Sequence, residues 1–106
     1  MQPKITIVQA LVRALAHAGV RQMFGLPGGG SSLDLIEAAA EVGIDFILTK
    51  TENAAVMMAG ALAETTGVPG VALMTKGPGV ANAANGVAYA KLDRAPVIVI
   101  TDGFTD

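Results

Sequence analysis

Four short apolar runs alternate with longer segments of helical periodicity, and this alternation limits the fold more than any other feature of the sequence. The runs are continuous, as in strands that are buried on both faces of a parallel sheet. Parallel strands need crossover connections, and the intervening segments are long enough to be helices. The sequence therefore predicts an α/β fold: a three-layer parallel sheet with helices on both faces. The predicted strands are 20–26, 44–49, 71–75 and 96–101.

Helices are predicted before and between these strands. In the first segment, apolar side chains recur with a helical period at Val8, Leu11 and Leu15, and Gly19 follows as a stop signal. Ser31 or Ser32 is expected to cap the second helix, because a hydroxyl can bond the free amides of a first turn. The predicted helices are 6–18, the capped helix that runs to about 42, 52–66 and 78–91.

The composition limits the chemistry that the chain can perform. The 106 residues are predicted to form one domain, 1–106, with a net charge of -2 and no basic cluster, so neither nucleic acid nor a membrane surface is an expected partner. The absence of cysteine excludes disulfides and thiolate sites, and His17 is the one histidine. Because only 15% of the residues are charged, part of the surface is expected to meet another protein.

No targeting or membrane segment is recognisable in the sequence. The first ten residues lack the apolar core of a signal peptide. The longest uncharged run, 77–90, is too short and too rich in Gly and Asn to span a bilayer. We therefore expect a cytoplasmic protein.

Three loops should meet at one edge of the predicted sheet. Right-handed crossovers bring the loops that follow parallel strands to the same edge, where α/β folds of this kind bind ligands. The loops are "GLPGGGSS" (25–32), "TKTEN" (49–53) and "TKGPGVAN" (75–82). A ligand site is predicted where they meet.

The first loop resembles two nucleotide-binding motifs without matching either. Gly25 and Gly30 have the spacing of a P-loop, but serine stands where the phosphate-binding lysine is required. The dinucleotide fingerprint fails as well, because Leu33 occupies its third glycine position. A tight turn onto a helix explains these glycines, and a nucleotide-binding enzyme is disfavoured.

The second loop carries Glu52 at the start of an apolar helix, and two interpretations stay open. Residues 49–52 match a capping box in which the glutamate bonds back to the Thr49 amide. Alternatively, because 53–63 carry no charge, the helix is enclosed and its carboxylate is poorly solvated. Such a carboxylate can share a proton with a basic nitrogen, which is chemistry and not only capping.

The third loop places Pro78 near the first position of a helix, between Gly77 and Gly79. Asn82 follows on that helix. If its amide is buried it needs partners, which a heterocycle, solvent or backbone can supply. Lys76 is interpreted as a solvated charge.

Taken together, "FGLPGG", "TENAAVMMAGALAETTG", "TKGPGVAN" and "PVIVITD" resemble the pyrimidine-binding, N-terminal domain of thiamine diphosphate-dependent enzymes of the acetolactate synthase and 2-keto acid decarboxylase group. The resemblance covers nearly the whole chain, with its motifs in order. It implies an enzyme that decarboxylates a 2-keto acid or transfers its acyl or aldehyde group.

The resemblance also implies roles for individual residues. Glu52 matches the glutamate that hydrogen-bonds the pyrimidine N1′ of the cofactor and favours the imino tautomer, whose 4′-nitrogen removes the thiazolium C2 proton. The implied pyrimidine pocket consists of Pro27, Gly28, Glu52, Gly77, Pro78, Gly79 and Asn82. Since the cofactor of this family lies between two subunits, a homodimer, a larger homo-oligomer or a separate diphosphate-binding subunit is expected.

The sequence departs from the family pattern in two ways. Thr51 and Asn53 flank the glutamate where acetolactate synthases usually have His and Gln, and Lys76 replaces a small residue that is common before the Gly-Pro-Gly. These differences leave the substrate open and favour another member of the group over acetolactate synthase itself. The motif that binds Mg²⁺ and the diphosphate, from Gly-Asp-Gly to Asn-Asn, has no counterpart in the chain. We therefore expect an incomplete enzyme, inactive alone, whose diphosphate and Mg²⁺ are bound by another domain. The alternative is a non-catalytic α/β binding or assembly module in which Glu52 is only a helix cap.

Overall fold

The structure is a computed structural model that describes residues 4–103. Residues 1–3 and 104–106 of the predicted domain lie outside the described part of the chain. Four strands form an all-parallel sheet with the order β2-β1-β3-β4. The elements are α1 (Ile7–His17), β1 (Gln22–Leu26), α2 (Ser31–Glu41), β2 (Asp45–Leu48), α3 (Glu52–Thr66), β3 (Gly70–Met74), α4 (Pro78–Asn82), α5 (Ala84–Asp93) and β4 (Val97–Thr101). The predicted α/β class and helix–strand alternation are confirmed.

The core is divided into two layers by the sheet. On one face, α1 and α2 cover residues such as Met23 and Leu73. On the other face, α3 and α5 cover Phe24, Ala72 and Met74. Alternate residues of β1 and β3 therefore point into opposite layers, which is the three-layer arrangement that continuous apolar strands predict.

Among the described strands, β3 is buried along its whole length and β1 in its three middle residues. Every residue of β3 is buried, whereas β2 and β4 keep exposed side chains because each lies at an edge of the sheet among the described residues. Leu48 is 66% exposed and Ile98 is 40% exposed. Some residues that the sequence predicts to be buried in strands are therefore exposed at both edges of the sheet.

The capping of α2 differs from the prediction. Neither Ser31 nor Ser32 is the N-cap: the helix begins at Ser31 and is preceded by Gly30, whose φ of 66° lies in the left-handed region. A glycine adopts this conformation without steric cost, so the chain turns into the helix through its backbone. Ser32 is buried, and its hydroxyl has no hydrogen-bond partner among the described residues.

The predicted helix 78–91 is in fact two helices. It is interrupted at Ala83, which separates α4 from α5. At the break, the amide of Gly86 donates a 2.9 Å hydrogen bond to the side-chain oxygen of Asn53. In an uninterrupted helix that amide would donate to the carbonyl four residues earlier, at Asn82.

Helix α3 runs very close to the sheet. A Cβ atom on Gly70 of β3 would overlap the carbonyl group of Ala59. The small residues Ala55, Ala59 and Ala63 of α3 are buried at or below 1% exposure. Small side chains on this helix and a glycine on the strand therefore allow backbone-to-backbone contact.

The two methionines Met23 and Met58 provide a matched test of this layering. Met23 is fully buried under α1 and α2, whereas Met58 is 47% exposed on α3. We expect Met23→Ala to lower the free energy of unfolding by about 2–5 kcal/mol, because a cavity remains in the core. Met58→Ala should lower it by less than about 1 kcal/mol. Urea unfolding followed by circular dichroism measures both, and equal losses would contradict the assignment of the core.

Candidate functional site

The three predicted loops meet at the carboxyl ends of β2, β1 and β3, which are neighbours in the sheet. The first two loops are joined through Thr49, whose amide donates a 3.0 Å hydrogen bond to the Gly25 carbonyl. The Thr49 side chain is buried and its hydroxyl donates to the Thr51 carbonyl at 2.9 Å, which orders the turn into α3. The sheet order thus places the "GLPGGGSS" loop between the other two.

Thr75 lies where the first and third loops touch. A Cβ atom on Gly28 would be 2.7 Å from the Thr75 Cβ, and one on Gly79 would be 2.9 Å from its Cγ2. Both glycines therefore allow the loop backbones to close onto this side chain. Thr75 was not predicted as a site residue, and its place directly after a buried strand is the one signal in the sequence that could have indicated it.

Glu52 is the first residue of α3 and is half-buried. Its Oε2 lies next to the third loop, since a Cβ atom on Gly79 would be 3.6 Å from it. The free amides at a helix N-terminus favour a negative charge at this position. Among the residues that the structure describes, the Glu52 carboxylate has no hydrogen-bond or ion-pair partner.

The capping-box interpretation of Glu52 is wrong. Thr51 is the N-cap, and its hydroxyl accepts a 3.0 Å hydrogen bond from the Ala54 amide. The Thr49 amide, which Glu52 would have to bind, is already bonded to Gly25 across the sheet. The N-cap lies at Thr51, two residues after the Thr49 that the motif requires, so Glu52 carries no capping role.

The remaining predicted residues differ in their exposure. Pro27 is half-buried beside Gly28 in the first loop. Gly77 has a φ of 70° and precedes Pro78, the first residue of α4, and both are exposed. Asn82 is exposed at the far end of α4, so its amide needs no buried partner, and its predicted place in a ligand pocket stays a prediction.

Two further links support the loops, and neither was predicted. Asn53 joins α3 to α5 through Gly86. Lys76, interpreted from sequence as a solvated charge, has its amide bonded to the Asp102 carboxylate at 3.0 Å and its ammonium group bonded to the Gly103 carbonyl at 3.3 Å. The second loop is therefore tied to α5, and the third loop to the end of β4.

Comparison with known protein families identifies the family of this chain. Residues 5–103 match the family described as thiamine pyrophosphate enzyme, N-terminal TPP binding domain. The chain belongs to this family. The resemblance noted from the sequence motifs is thereby confirmed, together with the α/β fold that it implies.

Similar proteins are much longer than this chain. It is 47% identical to the acetolactate synthase isozyme 3 large subunit of Escherichia coli over 94 residues, which are 88% of the chain and 16% of that protein. It is 42% identical to the probable 2-ketoarginine decarboxylase AruI of Pseudomonas aeruginosa over 103 residues, 95% of the chain and 18% of that protein. The probable acetolactate synthase large subunit of Methanocaldococcus jannaschii is 39% identical over 93 residues, 88% of the chain and 16% of that protein.

The residues of the site fit the pyrimidine end of thiamine diphosphate. A half-buried carboxylate, which has no partner within residues 4–103, faces a loop that has no side chain at Gly79. On the open side, a Cβ atom at Gly29 would meet nothing within 4 Å. Within 4–103, no group of three or more His, Cys, Asp or Glu side chains is placed to hold a metal ion, and no helix is long and apolar enough to cross a membrane.

The capping assignment leads to a first prediction for this site. Thr51→Ala should lower the free energy of unfolding by about 1 kcal/mol, because the bond to the Ala54 amide is lost. Thr51→Ser keeps a hydroxyl and should stay within about 0.5 kcal/mol of the wild type. Urea unfolding measures both, and an unchanged Thr51→Ala variant would show that another group caps α3.

Adjacent glycines of the first loop give a second prediction. Gly28→Ala should lower the free energy of unfolding by about 1–3 kcal/mol, because the new methyl group collides with the Thr75 Cβ, which no side-chain rotation can move. Gly29→Ala is the matched control and should change it by less than about 0.5 kcal/mol, since its Cβ enters open space. Thermal or urea unfolding of both variants would refute the close approach if Gly28→Ala were neutral.

Proposed function

We propose that this domain supplies the pyrimidine-binding half of a thiamine diphosphate-dependent enzyme that acts on a 2-keto acid, with Glu52 as the group that activates the cofactor. The observation that carries the proposal is the Glu52 carboxylate, half-buried, without a partner among the described residues, and beside Gly79. It is supported by membership of the family.

Glu52 acts by holding a proton at its carboxylate against the ring nitrogen N1′ of the pyrimidine. The carboxylate is shielded from part of the solvent, and water competes less for its hydrogen bond than it does at an exposed site. A charge-assisted bond of this kind biases where the ring carries its protons. When bound, thiamine diphosphate supplies a carbon nucleophile and an electron sink for decarboxylation.

The other residues of the proposed pocket fix the ring in place. Pro27 and Gly28 border it from the first loop, and Gly77, Pro78 and Gly79 from the third. Gly79 is buried beside Glu52, whereas Gly77 and Pro78 keep exposed surface that a ring can cover. Asn82 is assigned to the outer border of the pocket, where its amide can bond a ring substituent.

The reaction is assigned by class. The similar proteins are named acetolactate synthases and a probable 2-ketoarginine decarboxylase. We assign to this domain a role in decarboxylation of a 2-keto acid, or in transfer of its acyl or aldehyde group, in the cytoplasm. The diphosphate and Mg²⁺ are assigned to a domain outside these residues, since the chain spans only about a sixth of the relatives' length.

A protein partner is part of the proposal. Exposed apolar side chains occur on α3, α4 and α5, the helices next to the site, at Met57, Met58, Val80, Val87 and Tyr89. A surface of this kind is typical of an interface. We assign it to a second copy of the chain or to a subunit that carries the diphosphate-binding domain, so that the site is completed between two proteins.

Replacing Glu52 by Gln tests the proposal in the complete enzyme. The amide cannot take up the proton, so exchange of the thiazolium C2 proton, followed by NMR in D₂O, should slow by about 10²–10⁴-fold. The fold should be kept, because Thr51 and not Glu52 caps α3.

Glu64→Gln is the matched control for this experiment. Glu64 is exposed on the same helix, away from the loops, and its replacement should leave the exchange rate within about twofold of the wild type. Unchanged exchange in the Glu52→Gln variant would refute the assigned role of Glu52.

A further inference from the structure

Asn53 connects two segments that are far apart in the chain. Its side-chain oxygen accepts a 2.9 Å hydrogen bond from the Gly86 amide, across a separation of 33 residues. Both groups are partly buried, so the bond is shielded from solvent and its loss leaves an amide without a partner. The bond is made by the residue directly after Glu52.

The contact around this bond is tight. A Cβ atom on Gly86 would be 2.8 Å from the Val56 Cβ and 3.0 Å from the Asn53 carbonyl oxygen. The first turn of α5 therefore presses directly on the first turns of α3, and only glycine fits there. Packing and the hydrogen bond together fix where α5 starts.

The same bond interrupts the helix that carries the third loop. Because the Gly86 amide is bonded to Asn53, α4 ends at Asn82 and α5 starts anew after the buried Ala83. At the other end of the segment, Gly79 lies beside the Glu52 carboxylate. The segment 77–86 is thus bonded to the first turn of α3 at Gly86 and lies beside the first residue of that turn at Gly79.

We propose that Asn53 is a positioning residue, which holds the segment 77–86 at the distance from Glu52 that the pyrimidine ring requires. The proposal rests on the function proposed above and adds a residue to it. Glu52 and Asn53 are neighbours in one helical turn and then have separate roles. Glu52 contacts the ring, and Asn53 fixes the position of the segment 77–86 that borders the ring. In a chain with another residue at position 53, the segment 77–86 must be held in a different way.

The first experiment needs no cofactor. In the 106-residue chain, Asn53→Ala should speed hydrogen exchange of the Gly86 amide by about tenfold or more, as measured by NMR. Asn53→Asp keeps an acceptor oxygen of the same size and should restore protection to within about threefold of the wild type. The amides of Ala38 and Ala39, in the layer on the other side of the sheet, should be unchanged, which separates local opening from unfolding.

Gly86→Ala tests the same link from the opposite side. The added methyl group must push α5 away from Val56 and Asn53, so the amides of 79–86 should exchange faster, as in Asn53→Ala. This variant leaves every side chain of α3 intact. Unchanged protection of Gly86 in Asn53→Ala, or failure of Asn53→Asp to restore it, would overturn the proposal.

The second experiment uses the complete enzyme. Asn53→Ala should raise the thiamine diphosphate concentration for half-maximal activity by about tenfold, while C2-proton exchange at saturating cofactor stays within about threefold, because Glu52 is still present. Asn53→Asp should restore the cofactor requirement. An unchanged requirement in Asn53→Ala would overturn the positioning role. A wild-type enzyme that needs no thiamine diphosphate would instead refute the proposed function. The amide hydrogen-exchange experiment would then test only the link between Asn53 and Gly86.

Discussion

The contact of two glycine backbones with the side chain of Thr75 is the constraint on which the site depends. Gly28 and Gly79 approach this residue from separate loops, at distances that leave no room for a Cβ atom. Because β1 and β3 are adjacent, parallel strands, their carboxyl ends bring these loops together without any long excursion of the chain. The position of Gly79 beside Glu52 follows from this closure. A carboxylate becomes useful here because the backbone around it is fixed.

The fold was predictable because its signals are local. Continuous apolar strands and helical periods of the right length identify an α/β chain, and the structure agrees in class and in element order. The errors arose where a residue far away in the chain, or a backbone conformation, decides the outcome. The break at Ala83 depends on a bond between Asn53 and Gly86, and no periodicity in the sequence 78–91 reports it. Gly30 caps α2 through its backbone, which a search for hydroxyl side chains overlooks.

The site was predictable in part. An isolated acid before an uncharged helix drew attention to Glu52, and the sheet topology correctly grouped the three loops. The capping box failed because Thr49 and Thr51 are both possible N-caps, and the Thr49 amide is already paired with Gly25, which lies on another strand. Thr75 was missed because a threonine that ends a strand is common and carries no chemical signature. Its importance comes only from the glycines that approach it in three dimensions.

Helix α3 touches β3 at Gly70 with no side chain between the two backbones. Side chains between a helix and a sheet normally act as a compliant layer, whose rotamers can adjust while the helix rolls or slides by an ångström or so. At this point that layer is missing, and the Ala59 carbonyl lies against the backbone of the strand itself. The Glu52 carboxylate, at the N-terminal end of α3, is therefore held at a fixed position relative to the sheet. Any ligand-driven rearrangement of this half of the protein has to come from the loops that face Glu52.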